Sequence, residues 1–243
     1  MQHNMAIIGF GGMGSHHYLK LLKEQEIVCT GVWDIRECRR QYAADLGLHV
    51  YTSLEDLLAD DSIEIVLVAT PNDVHHSIAI QALRAGKHVI CEKPVTLTVA
   101  DLEEMKEAAA KAGKFLTVHQ NRRWDVDFLG MKSIIESGNI GDVINIESRV
   151  HGSRGIPGDW RQKKAQGGGM ILDWGIHTLD QILMLFDDKK LVSVYNQITN
   201  ITNDEVDDGF SCELRYEGNL TVHLYVGTSN FIDLPRWYMQ GEN

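Results

Sequence analysis

Up to about residue 121, short apolar runs alternate with amphipathic stretches. The runs are Met5–Phe10, Ile27–Trp33, Ile63–Ala69, His88–Cys91 and Phe115–Val118. Helical patterns between them cover Met13–Lys23, Glu37–Leu46, Asp73–Ala85 and Val99–Ala112. A strand buried on both faces reads as a continuous apolar run, and strands separated by helices pair in parallel. The pattern predicts a doubly wound α/β domain.

After one more helical pattern, Val126–Glu136, the period changes. Residues 143–150, 191–201, 210–216 and 220–226 alternate apolar with polar, as in Leu220, Val222, Leu224 and Val226 against Thr221, His223 and Tyr225. Period-two strands joined by turns such as Glu217-Gly218-Asn219 predict a mostly antiparallel open sheet with one buried face. One helix, Met170 to Phe186, interrupts them; it is apolar nearly all round, which predicts burial. The last run, Trp237 to Met239, reads as a strand, with Gly241-Glu242-Asn243 starting its turn and nothing after it to pair. The chain thus divides into an α/β domain over 1–121 and an α+β domain over 122–243. An unpaired sheet edge invites association, so a homo-oligomer through the second-domain sheet is expected.

Composition narrows the partners. The 243 residues are 44% hydrophobic and 23% charged, with 23 Lys plus Arg against 34 Asp plus Glu and a formal charge of −11. That balance repels nucleic acid and anionic membranes. An anionic cofactor must then be held by a local device. The four cysteines are scattered without a C-x-x-C pair, which fits reduced thiols. Neither a signal peptide nor a membrane-length apolar stretch is visible, so cytoplasm is the default expectation.

Gly9-Phe10-Gly11-Gly12-Met13-Gly14 supplies the device. It fits G-x-G-x-x-G and lies where a strand should turn into a helix. Gly9 makes the turn, Gly11 lets backbone approach a pyrophosphate, and Gly14 lets helix and strand pack closely. The helix N-terminus adds oriented N–H groups and partial positive charge. Asp34 closes the next strand twenty residues on. An acid there accepts ribose hydroxyls and repels a 2′-phosphate, which favours NAD, while Arg36 and Arg39 leave NADP open. The first domain therefore reads as a dinucleotide-binding Rossmann domain.

Two later stretches, Ala69-Thr70-Pro71-Asn72-Asp73-Val74-His75 and Gly86-Lys87-His88-Val89-Ile90-Cys91-Glu92-Lys93-Pro94, end parallel strands. With the glycine loop they resemble the glucose–fructose oxidoreductase/inositol dehydrogenase/MocA family. The resemblance continues through His119-Gln120-Asn121-Arg122-Arg123-Trp124, Gly158-Asp159-Trp160-Arg161 and Gly167 to His177, essentially the whole chain. It implies that Gly9, Gly11, Gly12, Met13, Gly14, Asp34, Thr70, Asn72 and His75 serve the cofactor. Glu92 and Lys93 would lie by the nicotinamide ribose, with Lys93 also reaching substrate. Asn121, Trp160 and Arg161 would border the nicotinamide and substrate. Asp173 and His177 would hold and deprotonate the substrate hydroxyl. Members usually continue with further strands and a closing helix, so this chain looks C-terminally short.

The residues carry part of this reading by themselves. Lys93 precedes Pro94, which biases it away from helix and projects it from a strand end, where a lysine can stabilise a developing alkoxide. Asp173 and His177, four apart, share one helical face. Histidine suits proton transfer near neutral pH, and a neighbouring carboxylate can orient a hydroxyl or favour imidazolium. Asp180 follows on the same face, where helix packing is its expected role. The remaining histidines, including His16-His17 and His75-His76, show no metal-ligand spacing, so no metal is expected. The reading is hydride transfer between NAD(H) and a secondary alcohol of a sugar, cyclitol or related polyol. A non-catalytic dinucleotide-binding sensor or scaffold, and NAD-assisted elimination or glycoside cleavage, are the alternatives.

Overall fold

The computed structural model describes residues 2–243 and falls into two compact units, Met1–His119 and Gln120–Asn243. In the first, six strands form one parallel sheet in the order β3-β2-β1-β4-β5-β6. These are β1 (His3–Ile8), β2 (Ile27–Trp33), β3 (His49–Val50), β4 (Ile65–Val68), β5 (His88–Cys91) and β6 (Leu116–Val118). The helices between them are α1 (Gly12–Leu21), α2 (Glu37–Asp45), α3 (Leu54–Ala59), α4 (His75–Arg84) and α5 (Val99–Ala112).

Alternate residues of the central strands feed two cores. Ala6, Ile8, Val66 and Val68 enter one cluster with Leu83, Met105 and Ala109, while Met5, Ile7 and Leu67 enter another with Phe10, Val32 and Ala43. Both faces are covered, which is why these strands read as unbroken apolar runs. Helix starts carry local caps: Ser53 Oγ accepts the Asp56 N–H at 3.0 Å, and Thr98 Oγ1 accepts that of Asp101 at 3.1 Å. Each such cap contributes about 1 kcal/mol. Helix α5 ends at Gly113 in the left-handed region, φ 63°, a conformation that suits glycine.

The second unit contains α6 (Val126–Glu136), α7 (Ile176–Leu185) and a five-stranded sheet ordered β11-β7-β10-β9-β8. Its strands are β7 (Val143–His151), β8 (Leu191–Thr199), β9 (Gly209–Tyr216), β10 (Thr221–Gly227) and β11 (Trp237–Gly241). All pairings are antiparallel except β7 with β10. Phe210, Leu214 and Tyr216 on β9 and Val222, Leu224 and Val226 on β10 are buried with Ile182 and Phe186. The α/β class, with a parallel sheet followed by a mostly antiparallel one, is as the patterning predicts.

Three details depart from it. β3 and α3, two and six residues long, are too short to produce a period. The expected strand Trp237–Met239 is longer and pairs back on β7, with Tyr238 opposite Glu147. The expected helix Met170–Phe186 opens with a π-helical turn, Ile171–Gly175, before α7 begins. It is also not buried all round, since Leu179 and Leu183 are exposed. Among the described residues, no helix is long and apolar enough to cross a membrane.

Candidate active site

The carboxyl ends of β1 and β4, neighbours in the first sheet, form the switch point where doubly wound sheets bind ligands. The glycine loop leaves β1 there. Gly9 has φ 90°, and a Cβ on it would lie 2.7 Å from the Ala69 carbonyl oxygen at the exit of β4. A Cβ on Gly14 would overlap the Gly9 carbonyl oxygen, whereas one on Gly12 would meet nothing. Gly9 and Gly14 thus let the loop fold onto itself and onto β4. Gly11 precedes α1 without a side-chain cap, so the N–H groups of its first turn face outward for an anion.

Asp34 is placed at the end of β2 but is almost fully buried. One carboxylate oxygen accepts the Phe10 N–H at 2.8 Å, and the other accepts the Arg36 N–H at 2.8 Å. The Arg36 guanidinium returns to the same carboxylate at 3.3 Å, and its tip would lie 3.3 Å from a Cβ on Gly11. The acid therefore braces the glycine loop, with a cation beside it.

At the exits of β4 and β5, Thr70 keeps a buried hydroxyl that makes no hydrogen bond to any described residue. Asn72 is buried in the following 3-10 turn. His75 is wholly buried, with Nδ1 2.9 Å from the Pro94 carbonyl oxygen and Nε2 2.9 Å from that of Thr70. It reaches a ligand only through the loops it ties together. Burial pushes its pKa below the ordinary histidine range, against the two carbonyls that favour the cation. The Lys93–Pro94 peptide is cis, and the Lys93 N–H donates to Glu92 Oε2 at 3.2 Å.

Glu92 is buried, and two histidines converge on its Oε1: His17 Nε2 at 2.6 Å and His119 Nδ1 at 3.1 Å. Burial alone would raise its pKa, but the two imidazoles outweigh burial and hold the carboxyl well below the usual range. Neither histidine is legible as a site residue, because each stands far from Glu92 in the chain.

In the second unit, the π-turn brings Asp173 to Arg161, whose Nε donates to Asp173 Oδ2 at 3.2 Å. Arg161 also donates to Asp159 at 2.7 Å and stacks over Trp160 at 4.6 Å. His177 is buried in α7, its ring edge-on to Trp174 at 5.8 Å. The start of this helix is fixed by Asp207, which accepts the Ile171 N–H at 2.8 Å and whose pKa burial raises. Gly169, at φ 102°, leaves room for that carboxylate. Asp180 holds Arg123 through two contacts at 2.8 and 2.5 Å, and Gln181 donates to the Arg122 carbonyl at 2.7 Å. Together these tie the turn carrying Asn121, itself exposed, to α7.

The residues at the first unit's ligand end fit a dinucleotide. The close-packed glycines, the uncapped helix start and the unpaired Thr70 hydroxyl are what a pyrophosphate and ribose require. The comparisons agree. Residues 3–120 match the oxidoreductase family with an NAD-binding Rossmann fold, and residues 128–243 match the GFO/IDH/MocA C-terminal domain. The chain belongs to the Gfo/Idh/MocA oxidoreductase family. An NAD-binding protein from Listeria innocua superposes with a TM-score of 0.96 at 49% identity, covering 99% of this chain and 71% of that one. An uncharacterized oxidoreductase of Schizosaccharomyces pombe is 39% identical over 77% of this chain and 52% of its own length. The scyllo-inositol 2-dehydrogenase (NADP(+)) of Bacillus subtilis is 33% identical over 98% of this chain and 66% of its own length. The chain spans about half to two thirds of the length of these curated relatives.

Proposed function

We propose that the protein catalyses reversible hydride transfer between NAD(H) and a secondary alcohol of a sugar, cyclitol or related polyol. The observation that carries this is the buried His177 one turn beyond an arginine-paired Asp173, in a chain with a dinucleotide loop. The nicotinamide supplies the hydride chemistry. In the oxidative direction, His177 takes the hydroxyl proton and Asp173 orients the hydroxyl, with Arg161 fixing the carboxylate. Lys93 stabilises the charge that develops on oxygen. By the family resemblance, Asn121 and Trp160 would contact the nicotinamide and substrate. Asp34 favours NAD, with Arg36 leaving NADP as a second cofactor. The substrate class is supported by the Bacillus relative, whose name specifies an inositol.

The test is NADH formation or consumption with inositols, aldoses and their keto derivatives. Turnover with a cyclitol or sugar supports the reading. Full NAD binding with no turnover across the panel overturns it.

A further inference from the structure

Three metal-ligating side chains meet where no sequence spacing announces them. His17 lies on α1, Glu92 just beyond β5 and His119 just beyond β6. Their ligand atoms all lie within 4.8 Å of one another, and the two imidazole rings stand 4.4 Å apart at 73°. We propose that His17, Glu92 and His119 form a binding site for a divalent transition-metal ion of the zinc class.

Two nitrogens and one carboxylate oxygen form a donor set that zinc takes at about 2.0–2.2 Å, leaving a fourth position for water. Tetrahedral bonds of that length put donors about 3.3–3.5 Å apart. The present separations from Glu92 Oε1, 2.6 and 3.1 Å, open to this by small rotations of the side chains. The three donors stand on a helix and two adjacent strand ends of one parallel sheet, so the backbone already holds them.

The present bonding also leaves the cluster short of contacts. Both imidazoles crowd one carboxylate oxygen, while the other accepts the Lys93 N–H at 3.2 Å. His119 Nδ1 is buried and, though 3.1 Å from that oxygen, makes no directed hydrogen bond to a described residue. Glu92 is buried, and a buried carboxylate calls for a compensating positive charge. A dication among the three donors supplies that charge and engages all of them at once. The His3–Glu64 and His76–Glu104 pairs offer two donors each and, among the described residues, lack a third.

The experiment is calorimetric titration of the chelator-treated full chain with zinc chloride, alongside His17→Ala, His119→Ala and, as a control, His3→Ala. One zinc per chain is expected. Each ligand variant should lose at least about ten-fold in affinity, since even residues that only support a ligand cost that much, and the control should match the parent. Zinc-edge X-ray absorption on the unmodified protein should show two imidazoles around the ion. The site is overturned by no zinc binding, by equal binding in the ligand variants, or by fewer than two imidazoles at the metal. The absorption measurement decides the matter even if a variant does not fold. None of these readouts depends on dehydrogenase turnover.

Discussion

Asp34 accepts the backbone N–H of Phe10 at 2.8 Å, so the acid that closes β2 also holds the loop that closes β1. Losing this acceptor leaves a buried N–H unpaired, at a cost of about 1–3 kcal/mol. Asp34→Ser is therefore expected to weaken both dinucleotides and to narrow the preference for NAD. Arg36→Ala should weaken NADP selectively, because its guanidinium is the cation beside the acid. Binding titrations with both cofactors check this. Tighter NADP than NAD binding by the unmodified chain is the contrary result.

Gly14→Ala and Gly12→Ala form a matched pair. The first drives a methyl into the Gly9 carbonyl, the second points one into open space. Overpacking of this kind costs about 1–3 kcal/mol. Gly14→Ala should lower the thermal midpoint and abolish most NAD affinity. Gly12→Ala should leave the midpoint within error. Equal midpoints for the two variants would remove the packing role of Gly14.

These glycines show what the sequence exposes and what it hides. The parallel sheet was legible because Met5–Ile8 and Val66–Val68 are buried on both faces, which forces unbroken apolar runs. The polar alternation of β9 and β10 was legible for the opposite reason, one face being buried. Contacts between distant positions leave no period. The pairing of Asp34 with Phe10, the two histidines on Glu92 and the Asp207 cap on the π-turn are all of that kind. The π-turn itself was hidden because Ile171–Gly175 carries the same apolar spacing as the helix that follows.

His177→Ala should lower kcat by on the order of a hundred-fold or more, the usual cost of a lost general base. NAD affinity should change little, since His177 lies on α7 while the glycine loop precedes α1. Asp173→Asn should raise KM as well, because Arg161 then holds a neutral partner. Steady-state kinetics with saturating substrate separates the two. Most activity surviving in His177→Ala would end its assignment as the base.

Burial lowers the pKa of His75, so its folded value lies below the unfolded value of about 6.5. Below about pH 6.5 the unfolded chain takes up a proton that the folded chain refuses, so stability falls as pH falls toward the folded value. Above that window His75 contributes no pH dependence. The nearby charges of Glu92 and Asp73 oppose the shift without reversing it. Urea denaturation at pH 7.5 and 5.5 should therefore show lower stability at the acid end, and a smaller difference in His75→Gln. An unchanged difference in that variant would place the pH dependence elsewhere, with His88 and His151, whose pKa values are also lowered, as the next groups to test.

β8 is the edge strand beyond β9, and Leu191, Val192, Val194, Tyr195 and Ile198 on it are all exposed. A strand with apolar side chains on both faces and a row of unpaired backbone groups is an unprotected edge. Its residues are exposed as far as Ile198, and Leu191–Thr199 contains neither a proline nor a charged residue to repel a second copy. We therefore expect a homo-oligomer that buries the β8 end of the second sheet. Light scattering after size exclusion should give a multiple of the chain mass. Val194→Arg with Tyr195→Glu should shift it toward monomer, since one substitution on each face makes burial cost unpaired charge. A monomeric parent at high concentration would count against association. An oligomer indifferent to both substitutions would move the interface away from β8.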